Sequence, residues 1–393
     1  MISESEALAA VLAKVMPRPK CTRPLFDSLG RFAAQDVFAG RPLPPFDNSA
    51  MDGYAVQANS CRSGARLSVI GEQPAGADRG LTIGPGEAIR IFTGAPLPAG
   101  ADAVVMQEDV RREGATIVAQ CDAEPDEFVR RAGADLAVGQ KILTRGEKVA
   151  SQTVAILAAQ GLSQVTVGDV PRVAIVSTGD ELAQPGKTPR SGEIFESNSL
   201  MLHALALGVG AEVTRREHSP DNLERMIKIF RAGLESDALI VSGGVSVGDH
   251  DFVKPALREL GAATDVWRVA IKPGKPFLFG RAGKCCIFGL PGNPVSAFVT
   301  FVKFVRPALL KMSGASDDNL DLSKVPARLA SEVENDGNRP HYLRGRLQNG
   351  VFTVTGRQES HALFGLSRAN ALLRVASGVK FATGAIVSVE LWD

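Results

Sequence analysis

Three short apolar runs, RVAIVS, DALIVS and CIFG, each break into glycine. Thr178-Gly179-Asp180-Glu181 follows the first, Gly243-Gly244-Val245-Ser246-Val247-Gly248-Asp249 the second, and Leu290-Pro291-Gly292-Asn293-Pro294 the third. Glycine lets a backbone approach a phosphate closely. The hydroxyls of Ser177, Thr178, Ser242 and Ser246 are donors for its oxygens, and Glu181, Asp249 and Asp251 are hard oxygen ligands. Together these residue types point to a phosphate held beside magnesium. Magnesium keeps several waters and takes one or two protein carboxylates, so not all three acids can be ligands. Any one loop alone also reads as an ordinary turn after a strand. Three gain meaning if the runs are parallel neighbours, because open α/β sheets bind ligands outside the carboxyl ends of their strands.

A second chemistry lies in Ile271-Lys272-Pro273-Gly274-Lys275-Pro276, where two cations fall within one turn and Arg268 is close by. Such a cluster holds an oxyanion by point charge, although proline and glycine alone produce the same bend. Asp221 within SPDNLE has the spacing of a helix N-cap with Glu224 three residues on, and that reading is favoured. Asp47 and Asp52 in FDNSAMDGYAV read as Asx-type turn residues, and Thr93 before Gly94 is a modest signal. The five histidines show no metal-ligand spacing and no nucleophile-base order is legible, so no covalent nucleophile is expected.

Behind these loops the pattern calls for several architectures in one chain. Ser3 to Met16 has capping-box spacing and one apolar stripe, and Ser151 to Gln160 reads as a second helix with Ser151 as N-cap and Gly161 past its end. Between them a Pro/Gly-rich stretch with short β-branched runs predicts hairpins. The expected arrangement is a split helical or linker domain over 1–40 and 135–170, with an inserted β-rich domain over 41–134. From Pro171 apolar strands alternate with helices near 199–207 and 222–232. A further helix over 294–310 has Asn293 as N-cap and Pro294 at its first position. That predicts a mostly parallel, three-layer α/β/α domain over 171–315. Residues 316–393 alternate in period two, with Asn349-Gly350 placed as a type I′ hairpin, and predict a small β-barrel or sandwich.

The remaining composition narrows the function by exclusion. The 393 residues are 45% hydrophobic and 22% charged, with 44 Lys plus Arg against 43 Asp plus Glu. No global field exists to hold nucleic acid or an anionic membrane, so any anion site is local. The five cysteines are scattered and lack a C-x-x-C pair, which fits reduced, structural thiols. The N-terminal residues do not form a signal peptide and no apolar stretch is long enough to span a bilayer, so the cytoplasm is the expected compartment.

The segments PPFDNSAMDGYAV, FTGAPLPAGADAVVMQE, VSTGDEL, SGGVSVGDHDFVK, IKPGKPF and GLPGNPVSA, with YLRGRL and QESHALFGLSRANALL, together resemble the signature set of the MoeA and gephyrin E-domain family. The resemblance covers nearly the whole chain and keeps the family's order. It implies an elongated four-domain homodimer whose α/β domain binds molybdopterin and whose C-terminal domain is a β-barrel. The implied reaction takes adenylylated molybdopterin and molybdate, uses magnesium, releases AMP and leaves molybdenum on the dithiolene. By motif position, Asp52, Thr93, Asp135, Glu181, Asp221 and Asp251 match the family's functional polar residues. Lys272 and Lys275 match its anion contacts, and Arg344 and Ser360 are further candidates for the anion. The family's site forms at the dimer interface, so Asp52 and Thr93 would act on the partner's α/β domain. Two departures are Arg268, where the best-known bacterial pattern has lysine, and Gly365, where some members carry a hydroxyl. The competing functions are adenylyl transfer to molybdopterin itself and a non-catalytic scaffold of the gephyrin kind. A molybdopterin adenylyltransferase or a molybdoenzyme maturation protein is the implied protein partner. Molybdate and tungstate would satisfy the same lysines.

Overall fold

The computed structural model describes residues 1–245 and 252–392. The chain divides into two compact units, one of Met1–Gln35, Thr144–Ala155 and Ser163–Asp393, the other of Asp36–Leu143 and Ile156–Leu162.

The first unit is organised by a six-stranded sheet of β1 (Arg172–Thr178), β2 (Glu212–Ser219), β3 (Ala238–Ser242), β4 (Ala263–Arg268), β5 (Pro276–Ala282) and β6 (Cys285–Leu290), in the order 2-1-3-6-5-4. Strands β2, β1, β3 and β6 are mutually parallel, and β5 and β4 are added antiparallel. The sheet is therefore more mixed at one side than the sequence pattern suggests, because β4, β5 and β6 are joined by short turns rather than by crossover helices. All five residues of β3 and all six of β6 are buried, as expected of strands covered on both faces. One face packs α3 (Asn198–Gly208) and the 294–312 helical segment through Leu202, Phe277, Phe288, Phe301 and Phe304. The other packs α4 (Leu223–Gly233) and α5 (Val253–Glu259) through Met226, Phe230, Leu239 and Leu257. Each such side chain contributes roughly 1.5–3 kcal/mol on burial, and the result is the three-layer α/β/α domain.

Helix α1 (Glu4–Lys14) starts at Ser3 with both halves of the capping box formed, and buries Ala7 and Val11. It is built into the α/β core, and Lys14 reaches Asp265 at 3.1 Å. The adjoining segment, expected to be helical, also holds a strand pair between Lys20–Pro24 and Gln164–Gly168. The expected continuous helix of 294–310 is interrupted. Pro294–Thr300 and Arg306–Met312 are α-helical, with a π turn over Phe301–Val305 between them. Pro307 has no N–H for the carbonyl four residues back, and the wider turn accommodates its ring. The turn also presents Lys303 to Glu390 at 3.1 Å and Glu4 at 3.3 Å, tying helix, barrel and N-terminus together.

The C-terminal strands β7 (Ser323–Leu329), β8 (His341–Gln348), β9 (Val351–Val354), β10 (Ala371–Val375) and β11 (Ile386–Leu391) close into a barrel, which leaves no open sheet edge. Asn349 and Gly350 both have positive φ, 51° and 74°, as a type I′ turn between β8 and β9 requires.

The second unit is β-rich, as its Pro/Gly punctuation predicts. Its six-stranded sheet runs in the order 103–106, 53–56, 87–91, 66–73, 116–119, 110–113 around Tyr54, Val56, Leu67 and Ile117. Val37–Phe38 pairs with Lys141–Leu143 and Asn48–Ser49 with Val129–Arg130, and the compact unit runs over Asp36–Leu143 with Ile156–Leu162. Asp135 accordingly lies within this unit and not in the helical segment to which the sequence pattern assigned it. Among the described residues no helix is long and apolar enough to cross a membrane.

Candidate active site

In an order that begins 2-1-3, the connections from β1 and β3 leave toward opposite faces, and the gap between their carboxyl ends is the topological switch point where such sheets bind ligands. A cavity of about 760 Å³ opens there, lined by all three glycine-rich loops. Thr178-Gly179 and Ser242-Gly243 lie side by side. Gly243 has φ +99°, and a Cβ on it would stand 2.7 Å from Thr178 Oγ1 and 2.8 Å from Thr178 O. Only glycine permits that approach. Ser177, Thr178, Gly179, Ser242, Gly243, Gly244, Pro291, Gly292, Asn293 and Pro294 all line the cavity. Ser246, Gly248, Asp249 and Asp251, expected on the same edge, lie outside the described residues.

The hydroxyls are not equivalent. Ser177 is 1% exposed, and its buried Oγ has no hydrogen-bond partner. Ser242, read as a phosphate donor, instead donates to Pro291 O at 3.4 Å and accepts from Asn198 Nδ2 at 2.9 Å. Asn198 Nδ2 also donates to Gly292 O at 2.7 Å, so this first residue of α3 links the second and third loops.

Acids gather on one side. At Gly179, φ +139°, a Cβ would stand 2.3 Å from Glu181 Oε2, so the carboxylate folds over the bare glycine. His218 Nε2 is 2.8 Å from Gly179 O and fixes the turn from the neighbouring strand. Asp221 lines the cavity and is not the N-cap its spacing suggested. Asn222 takes that position, accepting from Arg225 N at 3.0 Å, and Asp221, one residue earlier, lies near the charges of Asp180 and Glu181. Burial, with the charges of Asp180 and Glu181, pushes the Asp221 carboxyl above the usual range against the opposing pull of His218. Asp221 N donates to Asp180 Oδ1 at 3.0 Å. Among the described residues no three His, Cys, Asp or Glu side chains converge as a ready-made metal cage.

The basic turn connects β4 to β5. Since β5 runs antiparallel to β6, the turn sits at the same edge as the loops. Pro276 lines the cavity, whereas Arg268, Lys272 and Lys275 are exposed and are not part of its wall. The barrel holds the turn: Lys272 N donates to Pro340 O and Lys272 O accepts from Tyr342 N, both at 2.8 Å. Arg344, a candidate for contacting the anion, is completely buried and is not part of the cavity wall. Its guanidinium donates to the carbonyls of Arg357, Gln358 and Glu359, and its Nε alone is without a partner. The loop it secures carries Ser360, whose Oγ accepts from Asn293 Nδ2 at 3.0 Å and whose carbonyl accepts from Val295 N at 3.0 Å. Asn293 thus occupies the N-cap position without capping through its side chain. At Gly365 a Cβ would meet Thr355 O at 3.0 Å and Arg357 O at 3.2 Å, so a side chain there would require these backbone carbonyls to give way.

In the second unit, Asp52 Oδ1 accepts from both N and Oγ1 of Thr93 at 2.8 Å, bringing two separately noted residues together. The bond to the Thr93 amide is the largest cause holding the Asp52 carboxyl below its usual range. Asp135 is exposed, and its amide donates to Leu43 O at 2.9 Å. The sequence reading missed Glu196, Asn198, His218 and His361. A polar run, ESNS, just before an apolar helix was the legible trace of the first two.

The comparisons with known proteins agree along the chain. Residues 2–161 match the model of the MoeA N-terminal region (domains I and II), 174–311 that of a probable molybdopterin binding domain, and 326–392 that of the MoeA C-terminal region (domain IV). A Mycobacterium tuberculosis relative named molybdopterin molybdenumtransferase 2 is 37% identical over 95% of this chain and 94% of its own length. A Nostoc relative named molybdopterin molybdenumtransferase is 37% identical over 91% of this chain and 85% of its own. The crystal structure of a molybdopterin biosynthesis MoeA protein from Pyrococcus horikoshii superimposes with a TM-score of 0.87 at 31% identity, covering 100% of both chains. With the glycine-rich switch-point cavity and the closed barrel in place, the chain belongs to the MoeA family of molybdopterin molybdenumtransferases.

Proposed function

We propose that this chain inserts molybdenum from molybdate into adenylylated molybdopterin, releasing AMP, as a step of molybdenum cofactor biosynthesis. The observation that carries this reading is the cavity in which the glycine-rich loops, the acidic rim of Glu181 and Asp221 and the barrel loop of Ser360 meet. The buried, unpartnered Ser177 Oγ is a donor waiting for a phosphate oxygen. Lys272, Lys275 and Arg268 on the adjoining turn attract the second anion, molybdate, as point charges. Arg344 acts on the site through the loop it holds, whose Ser360 meets Asn293.

The donor set fits magnesium. Glu181 and Asp221 supply hard oxygens at the rim, Asp249 and Asp251 are candidates on the segment after Val245, and substrate phosphate and water complete the shell. Bound there, magnesium would neutralise the phosphate charge and the charge that develops on the departing AMP. The protein's own share is to hold the phosphates against the loops, to orient water through Glu181 and Asp221, and to keep the oxyanion close. We further propose a homodimer working in the cytoplasm, with Asp52 and Thr93 serving the partner's reaction.

The test is AMP release from adenylylated molybdopterin by the purified protein with magnesium, with and without molybdate, followed together with metal incorporation. Release coupled to incorporation is expected. Tight binding of the substrate by a folded protein without release would overturn the reading.

A further inference from the structure

In the second unit three strand ends meet at one corner. Asp52 precedes the strand Gly53–Val56, Thr93 follows Glu87–Ile91 and Gln107 follows Ala103–Met106, and the strand of Gly53 is hydrogen-bonded to both of the others. The packing there leaves no slack, since a Cβ on Gly53 would collide with the carbonyl of Val105.

Arg90 spans this corner. It stands opposite Tyr54 in the antiparallel pairing, and its guanidinium carbon lies 5.1 Å from the ring centroids of both Tyr54 and Phe92. Nη1 donates to Gly53 O at 3.2 Å and Nη2 to Gln107 Oε1, so the side chain reaches from its own strand across the middle one to the end of the third. The Gln107 amide in turn donates to Asp52 O at 3.2 Å. Two successive carbonyls, those of Asp52 and Gly53, are thereby held, one by Gln107 and the other by Arg90.

What Arg90 lacks is an acid. Among the described residues no carboxylate forms an ion pair with it, and its partners are a carbonyl, a side-chain amide and two rings. A guanidinium fixed against aromatic faces keeps its full charge, and that charge acts on the nearby Asp52. The Asp52 carboxyl is held below its usual range first by the Thr93 amide, then by the Thr93 hydroxyl and, against desolvation, by Arg90. Thr93 occupies only Oδ1, and Oδ2 accepts no hydrogen bond among the described residues.

We propose that Arg90 is the positioning residue of Asp52: braced against Tyr54 and Phe92, it holds Gly53 O and Gln107 so that Asp52 Oδ1 stays on Thr93 and Oδ2 stays open to the reacting molecule, which Arg90 itself does not touch. The inference rests on the reading above in which Asp52 serves the transfer reaction, and it adds the group that keeps Asp52 in place.

The experiment follows residue-resolved amide exchange and AMP release from adenylylated molybdopterin in the full chain, for the wild type, Arg90→Gln and Asp52→Asn. In Arg90→Gln, exchange at the Thr93 amide is expected to rise about tenfold while protection elsewhere in the same sheet is kept. The kcat for release is expected to fall about tenfold with KM unchanged, because the loss is one of aim and not of substrate contact. A raised KM would make Arg90 a substrate contact, and protection lost across the whole sheet would make it a strut of the fold; either overturns the proposal. Unchanged exchange at Thr93 overturns it as well. Should Arg90→Gln not fold, Arg90→Lys, which keeps the charge against the rings but not the two-pronged donor, is judged by the same criteria. The two readings fail separately. A wild type without release removes the transferase, and exchange at Thr93 still decides Arg90; release that Asp52→Asn leaves untouched removes Asp52 from the reaction and the proposal with it.

Discussion

Asp221 and His341 show how far burial, with charged neighbours beside it, moves single side chains from their ordinary behaviour. The native Asp221 carboxyl titrates above the usual range. Between the ordinary carboxylate range and that raised value the folded state binds more protons than the unfolded state, so stability falls as pH rises through the window. Asp221→Asn escapes this penalty. The expected outcome at neutral pH is a Tm rise on the order of 1 °C with AMP release slowed at least tenfold; a variant with unchanged release has Asp221 in no catalytic role. His341 is the opposite case, a buried imidazole facing Lys272, Arg339 and Arg344. Burial and those three charges push its pKa down from 6.5 to about 4. The unfolded chain takes up a proton that the native imidazole refuses, so stability is lost as pH falls from about 6.5 to about 4, by roughly 3 kcal/mol in full. His341→Gln lacks this titration, and its Tm is expected to fall less than that of the wild type between pH 7 and pH 4.5. Parallel curves would remove His341 as the cause. Neither shift was readable in the sequence. Asp221 looked like a cap because spacing alone does not say which of two adjacent acceptors, Asp221 or Asn222, turns inward.

At the scale of elements the sequence was a better guide, and its failures are specific. Parallel strands buried on both faces read as continuous apolar runs, so β1, β3 and β6 and the glycines after them were legible, as were the capping box at Ser3 and the turn at Asn349-Gly350. The antiparallel addition of β4 and β5 and the π turn at Phe301–Val305 were not, since each depends on packing partners distant in sequence or on the local effect of Pro307. Gly243 is where element geometry can be tested most directly. Its positive φ and the closeness of Thr178 leave no space for a methyl group, so Gly243→Ala must move the β1 and β3 loops apart. Expected are a stability loss of about 1–3 kcal/mol in denaturant titration and AMP release reduced by more than a hundredfold. Preserved release at wild-type rate would show that the two loops do not act as one surface.

For the whole molecule, the family and its three matched regions follow from motifs that span nearly the full chain, whereas the limits of the inserted unit depend on strands that return from 129–143 to pair with 37–49. The homodimer with shared sites, implied by the resemblance, has its own test. Asp52→Asn and Glu181→Gln chains, each inactive alone, are expected to regain up to about a quarter of wild-type activity per site after subunit exchange. No recovery, with exchange verified by mass, would place both residues in service of their own chain.

The barrel loop over 357–361 has a bearing on modularity. It is fastened from below by Arg344 and reaches out to Asn293 and Val295 at the start of the helix behind the third glycine-rich loop. Through His361 the C-terminal domain is therefore a wall of the cavity and not an appendage. A chimera that borrows this domain from a relative inherits a working chamber only if the borrowed loop presents a carbonyl and a hydroxyl where Ser360 does, and sequence identity elsewhere in the barrel will matter far less to the transplant than that single corner.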